Sequence, residues 1–593
     1  MKRTGGEIII DFLVSEGVPY ILGIPGHGVM GLFDAVRKAQ GKIQYIQVKH
    51  EQAAAAIADG YFRMSGRPLV CFSSIGPGTL NSCIGLATAY VDSTAFLQLC
   101  GDAHVHMKGV GLLQEVERYQ DSNIIRALEP LAKRTWRAES VGQLPRILRR
   151  TFAQMQSGRS GPCAVMLPMD VQCAALEDSP LNVEYRLESK PCADAESVAR
   201  AVQLMKGAKR PVILAGGGAL RAQAGELIET LAEQWGAAMV TTLAGKGTVR
   251  ETHPLYGFHT GSKGTPVGLS LCRNADVILA VGTRFADETT CSYRKGISFN
   301  FPGTKLIHVD IDAAEIGKNY GADVGIVADL TDALKQLSDA YGQGAERKEY
   351  TAEIARLKAE WAVQLKDIRA VKTEKVTISQ LIGELNAHLP EDTVVVTSSG
   401  NTQAQLFQEY CYAQRGCNLT TGGFSTMGWA LPAAMGARLA CPDRPVVALL
   451  GDGDFMMVMQ ELATMAQYDI PVVVMLADNS GWMAIKDLQM DVLGETGTFG
   501  NDFMRGDKPY SPDFVQVAEA FGIQAESISQ KEECKSALGR ALASGKPYLI
   551  LADVCREYPY SGGKAFGWWD VPIPEYDAHR RAAYEHARGE ETV

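Results

Sequence analysis

The segment Gly451-Asp452-Gly453-Asp454-Phe455 follows the apolar run Val446-Val447-Ala448-Leu449-Leu450 and precedes a helical pattern. Glycines in such a turn let backbone N–H groups close around a phosphate, and the dipole of the following helix favours negative charge there. An aspartate in a phosphate loop would repel the phosphate unless a divalent cation bridges the two. Mg2+ suits that arrangement, because it takes oxygen ligands and combines one or two protein groups with phosphate oxygens. The next apolar run, Pro471 to Ala477, ends in Asp478-Asn479-Ser480-Gly481. Asn479 lies 27 positions after Asp452, the length of one crossover between parallel strands. Neighbouring strand ends share one edge of such a sheet, so Asn479 would offer the ion a second oxygen. A further acidic candidate is Glu51, which opens an alanine-rich helical run after Lys49-His50. The helix dipole alone favours a carboxylate at that position, so location by itself does not assign it chemistry.

These residues need a scaffold that brings strand ends together. Apolar runs of strand length alternate with helical patterns along the chain, which predicts parallel sheets with crossover helices. The expected fold is α/β, with three doubly wound parallel-sheet domains at 1–175, 192–344 and 376–560, and a tail at 561–593 that would act as an active-site lid. The charged segment from Glu346 to Lys375 reads as a solvent-facing helical linker. The first and third domains repeat one order of features. Arg67-Pro68, Gly76-Pro77-Gly78, Leu86-Ala87-Thr88 and Asp102 correspond to Arg444-Pro445, Gly451-Asp452-Gly453, Leu462-Ala463-Thr464 and Asn479. Both series span 35 positions, which predicts two domains of one architecture.

Composition restricts the function further. The chain has 593 residues, 46% hydrophobic and 21% charged, which excludes disordered and fibrous classes. A net charge of -10 gives no global attraction to nucleic acid or anionic membrane. No apolar run approaches the roughly 18 residues of a membrane span. Thirteen cysteines lack a C-x-x-C pair or a Cys/His cluster, which reads as buried thiols in a reducing compartment. The N-terminus lacks the apolar core of a signal peptide, so a cytoplasmic location is expected.

The Gly-Asp-Gly turn with an asparagine at this distance resembles the signature of thiamine-diphosphate enzymes. The resemblance implies Mg2+ on Asp452, Asn479 and the backbone oxygen of Gly481, with Gly451, Gly453 and Asp454 in the diphosphate loop. The first of the family's usual two asparagines is Asp478 here. It also implies that Glu51, in its His-Glu-x-Ala setting, meets the aminopyrimidine ring of the coenzyme held by a partner subunit. A carboxyl group there shares a proton with the ring and so promotes loss of the thiazolium C2 proton.

Within that superfamily the chain resembles acetolactate synthase catalytic subunits over nearly its whole length. Gly76-Pro77-Gly78-Thr79-Leu80-Asn81, Leu113-Gln114-Glu115, His308-Val309-Asp310-Ile311-Asp312 and Thr421-Gly422-Gly423-Phe424-Ser425-Thr426-Met427-Gly428 carry the likeness. It implies that Gly400, Asn401 and Thr402 meet the diphosphate, that Gly423, Ser425 and Met427 border the pyrimidine, and that Gln114 stabilises a developing alkoxide. Departures are also present. Ala484 and Leu488 stand where those synthases carry methionine and tryptophan, and Arg284-Phe285-Ala286-Asp287-Glu288 replaces Arg-Phe-Asp-Asp-Arg. The last change argues against FAD, whereas Gly216-Gly217-Gly218 with Asp310 and Asp312 suits a dinucleotide. Gly26-His27-Gly28 and Trp568-Trp569-Asp570-Val571-Pro572 are instead similar to trihydroxycyclohexanedione hydrolases, and His27 would exchange a proton near the reacting carbonyl.

The expected function is a thiamine-diphosphate-dependent C–C lyase or carboligase acting on a 2-keto acid, with hydrolysis of a cyclic 1,2-dione as the alternative. A non-catalytic nucleotide-binding regulator is a weaker third, because a binder needs no Glu51. The partners expected are a small keto acid or dione and a second copy of the chain, as a homodimer or homotetramer with sites between subunits. Nucleic acid and membrane are not expected partners.

Overall fold

The computed structural model describes residues 2–119, 121–177, 190–344, 346–557, 559–560 and 563–588. The expected connection between the first two domains therefore lies largely outside the described residues, as do the two ends of the 561–593 tail.

Three six-stranded parallel sheets organise the chain. The first comprises β1 (Tyr20–Gly23), β2 (Gln44–Gln47), β3 (Val70–Ser73), β4 (Leu97–Asp102), β5 (Arg134–Arg137) and β6 (Cys163–Pro168), in the order β2-β1-β3-β4-β6-β5. The central sheet runs through β7 (Pro211–Ala215), β8 (Ala238–Thr241), β9 (Tyr256–His259), β10 (Val277–Val281), β11 (Lys305–Asp310) and β12 (Val324–Val327), ordered β9-β8-β7-β10-β11-β12. The third holds β13 (Val394–Thr397), β14 (Asn418–Thr420), β15 (Val446–Gly451), β16 (Val473–Asp478), β17 (Gln524–Ile528) and β18 (Tyr548–Asp553), ordered β14-β13-β15-β16-β18-β17. Counted within each domain, the first and third sheets share one order, and the matched 35-residue spans fall on their third and fourth strands. The central sheet has instead the order of dinucleotide-binding folds. Helices cover both faces, so β3, β4, β6 and β13 are buried along their whole length and read as continuous apolar runs.

The first and third domains meet through two equivalent helices, Glu51–Ser65 and Ala430–Ala440, each of which leads from the second strand of its sheet to the third. Both are rich in alanine and glycine, which brings the backbones close. A Cβ on Gly60 would come within 2.1 Å of Ala433 O, and one on Gly436 within 2.0 Å of Ile57 O. Gly436→Ala is therefore expected to destabilise the fold by about 3 kcal/mol, because the clash is with backbone that cannot rotate away. A thermal melt of the variant at an unchanged midpoint would contradict this packing. Around the seam Arg63 bonds the Asp59 and Asp92 carboxylates and the Thr420 carbonyl, and Trp429 Nε1 donates to Asp59.

The charged segment expected as a solvent-facing linker is the helix Lys348–Arg369, but it is not exposed on all sides. Tyr350, Ile354 and Trp361 are buried against the central core, so that face is part of the central domain. Net charge hides this apolar stripe, because its three members are spread over three turns.

Candidate active site

The residues singled out in the third domain converge on the carboxyl edge of its sheet. The chain leaves β13 towards β14 on one side and reaches β15 on the other, so the loops after β13 and β15 face each other at the switch point. Gly400 caps the helix Asn401–Glu409 with φ +88°, a left-handed conformation open to glycine. Asn401 Nδ2 donates to Asp487 Oδ2 at 3.0 Å, and Thr402 is buried. Asp454 joins the two loops: its carboxylate accepts from Ser398 Oγ and from Gly428 N. Burial pushes this carboxyl up to about 6 against those two bonds. Ser399 and Ser425 hydroxyls lie 3.0 Å apart, and Gly423 and Ser425 line the same cavity as Gly400 and Asn401. Met427 is 37% exposed on this edge. Gly453 leaves room for Trp482, whose ring would lie 2.2 Å from a Cβ there.

Asp452 is buried at 2% exposure, and Gly481 N donates to its Oδ2 at 3.0 Å. The ends of β15 and β16 are thus joined at the Asp452 carboxylate. Burial, and then the facing Asp478 carboxylate, push Asp452 up to about 8. Asp478 Oδ1 itself accepts from Ser480 N at 2.9 Å and Ser511 Oγ at 2.7 Å. Two carboxylates this close to each other fit a divalent cation, which relieves their repulsion. Among the described residues no three His, Cys, Asp or Glu side chains form a metal cluster. A cation here would therefore draw on Asn479, a backbone oxygen and a ligand's phosphates for its remaining bonds.

In the first domain Glu51 stands at the N-terminus of its helix, 8% exposed. Asn81 Nδ2 donates to Glu51 Oε2 at 3.0 Å, and a Cβ on Gly78 would lie 2.9 Å from Oε1. One carboxylate oxygen is thus fixed by Asn81, while glycine keeps the space beside the other clear. His27 sits in the single turn His27–Val29 after β1, and its Nε2 is buried with no hydrogen-bond partner among the described residues. Gln114 is exposed, with the left-handed φ of +68° that costs a non-glycine residue about 1 kcal/mol or more. The adjoining Glu115 carboxylate accepts from Gly109, Leu112 and Gly111 N–H groups at 2.8, 3.0 and 3.1 Å, which fixes this loop.

A cavity of about 1830 Å³ runs from the central domain to the third-domain edge. Gly217, Arg221, Arg284 and Asp310 line one end, and Gly400, Ser425 and Leu488 the other. Burial, and then the neighbouring Arg63 charge, push Arg221 down to about 10. Burial pushes Glu288 up to about 7, and its Oε1 has no partner among the described residues.

Three family models match in order. They describe the N-terminal TPP-binding domain of thiamine pyrophosphate enzymes at residues 3–122, the central domain at 198–337 and the C-terminal TPP-binding domain at 398–552. The chain is 34% identical over 562 residues to a probable acetolactate synthase large subunit of Methanocaldococcus jannaschii, covering 92% of this chain and 91% of that one. It is 31% identical over 550 residues to the acetolactate synthase isozyme 1 large subunit of Escherichia coli K12, with 93% of each chain covered. It is also 33% identical over 580 residues to an acetolactate synthase of Arthrospira platensis, covering 94% of this chain and 95% of the other. The chain belongs to the thiamine pyrophosphate enzyme family.

As a thiamine pyrophosphate (thiamine diphosphate) enzyme it has the three α/β domains and the coenzyme dependence that the motifs implied. Among the described residues no helix is long and apolar enough to cross a membrane. Sequence reasoning passed over Asn81, which ends the quoted Gly76-to-Asn81 run, and Ser74, which lies just before it. It also treated Asp478 only as a departure, whereas Asp478 faces Asp452. The signal for Asp478 was its place at a strand end beside an expected cation.

Proposed function

We propose that this thiamine pyrophosphate enzyme is a carboligase of the acetolactate synthase type. It would cleave the bond beside the ketone of a 2-keto acid and join the retained acyl unit to a second carbonyl. The reading is carried by one observation: the Asp452–Gly481 junction occurs in a chain alignable almost end to end with acetolactate synthase large subunits. Bound coenzyme supplies the carbon nucleophile and the electron sink. Asp452, Asn479 and the Gly481 carbonyl would hold Mg2+. Gly451, Gly453, Asp454, Gly400, Asn401 and Thr402 would surround the diphosphate, and Gly423, Ser425 and Met427 the pyrimidine. Glu51 would hold a proton towards that ring, with Asn81 fixing its other oxygen. Gln114 would donate to the oxygen that gains charge, and His27 Nε2 would give or take a proton beside it.

Leu80, Ile84, Tyr90 and Leu113 of the first domain and Phe424 and Met457 of the third are exposed. Large apolar side chains beside Glu51 and on the diphosphate edge favour a second copy as their cover, with sites between subunits. The tail would act as a lid: Trp569 Nε1 donates to Asp287 Oδ2 at 2.8 Å and Asp570 N to Ser292 Oγ at 2.9 Å, while Trp568 lines the cavity. The half-buried guanidiniums of Arg221 and Arg284, which line the cavity, and the glycine turn favour a dinucleotide at its central end. Flavin absorbance of the purified protein tests whether it is FAD.

Incubation with pyruvate, thiamine diphosphate and Mg2+ is expected to give acetolactate and CO2. Opening of a cyclic 1,2-dione to an acid, with no acetolactate from pyruvate, would overturn carboligation in favour of hydrolysis.

A further inference from the structure

Two of the proposed site residues, His27 and Gln114, come from separate loops, and the Ser74 hydroxyl lies between those loops. Ser74, just after β3, accepts a hydrogen bond from Gly28 N at 3.3 Å, and its Oγ donates to Gln114 Oε1 at 3.3 Å. The loops are also moulded to this point sterically. A Cβ on Gly26 would lie 2.5 Å from Ser74 Cβ, and one on Gly28 2.4 Å from Ile75 Cγ1. A Cβ on Gly76 would lie 2.0 Å from Gln114 O, and Gly76 has φ +54°. The backbone of the Gln114 loop is therefore set by Gly76 and the Glu115 carboxylate, while the end of the Gln114 side chain is set by Ser74.

We infer that Ser74 is a positioning residue that fixes the Gln114 carboxamide with its oxygen inward and its N–H donors outward. The direction follows from the atoms paired: Ser74 Oγ lies against Gln114 Oε1, which carries no hydrogen, so Oγ accepts from Gly28 N–H while the hydroxyl gives its own hydrogen. Gln114 Oε1 takes it, which leaves the Gln114 amide donors turned towards the open side of the loop. A donor preorganised in this way stabilises developing charge without reorganising as the reaction proceeds. Ser74 also ties this orientation to the Gly26-His27-Gly28 turn, so the donor and the imidazole keep a fixed relation. The glutamine's own left-handed backbone places its side chain at the correct edge, and among the described residues the Ser74 bond is what selects which end of the carboxamide faces out.

The role given to Gln114 rests on the carboligase reading, and the test separates the two. In the holoenzyme with pyruvate as substrate, Ser74→Ala is expected to lower kcat about 10-fold with KM and thiamine diphosphate affinity unchanged. Gln114→Ala is expected to lower kcat about 100-fold, and adding Ser74→Ala to it to cost well under the roughly 10-fold of the single variant, the remainder coming from its Gly28 bond. Ser74→Thr, which keeps the hydroxyl, is expected to recover most of the lost kcat. Independent, additive losses in the double variant would overturn the assignment. If the wild type does not turn over pyruvate, the carboligase reading fails, and the crystal structure of the Ser74→Ala holoenzyme decides the positioning role alone. A Gln114 carboxamide that rotates or loses density supports it, and one unchanged from wild type refutes it.

Discussion

Glu51→Gln is expected to retain thiamine diphosphate and Mg2+ yet to lose turnover by about 1000-fold, within the range for a single acid–base group. The substitution preserves the shape and the Asn81 contact, since an amide oxygen accepts from Asn81 Nδ2 as the carboxylate does. What it removes is a proton that can move. The partial loss of a favourable charge at the helix N-terminus costs about 0.5 kcal/mol in stability and cannot account for a thousandfold. Exchange of the coenzyme C2 proton, followed by NMR on the holoenzyme, isolates the step from substrate binding. Exchange at the wild-type rate in Glu51→Gln would remove Glu51 from the mechanism.

The second large effect is expected at the buried carboxylate pair. Asp452→Asn keeps the Gly481 N–H bond, because an amide oxygen still accepts it. It also ends the repulsion between residues 452 and 478, so the metal-free protein is expected to become no less stable, or slightly more. Coenzyme binding should move the other way. Without the charge on Asp452 the cation loses its strongest protein oxygen, and calorimetric affinity for thiamine diphosphate in the presence of Mg2+ is expected to fall about 100-fold or more. The opposed signs are diagnostic. A structural role alone would lower stability and leave Mg2+ dependence intact, and that pair of results would refute the metal assignment.

Most of the architecture, and the edge on which the site residues gather, are legible in the sequence. Buried parallel strands need no polar face, so β15 and β16 stand out as apolar runs, and the residues after them are forced to one edge. That is why the Asp452 turn and the Asp478-to-Gly481 turn could be placed on one edge by spacing alone. The repeat of strand, glycine loop, helix and strand was legible for the same reason, since it is fixed by local chain geometry. Contacts that depend on how separate elements pack were not legible. Asn81 reaches Glu51 only because a short helix folds back onto another, and Ser74 meets Gln114 only because a loop 40 residues away settles on Gly76. The Lys348–Arg369 helix was misread in part because its buried side is three widely spaced residues in a charged sequence.

The shared strand order of the outer domains has a consequence for how the chemistry is divided. With Arg67 laid on Arg444, Ile75 falls opposite Asp452, and Gly428 falls opposite Glu51. Each half of the chain therefore lacks the group that its counterpart supplies at the corresponding place. The repeated frame keeps one shape in both copies, and on the proposed assignments the copies would be complementary, one acidic towards an organic ring and the other towards a metal. Neither copy has both carboxylates at the matched places, so on that reading neither could stand in for its twin.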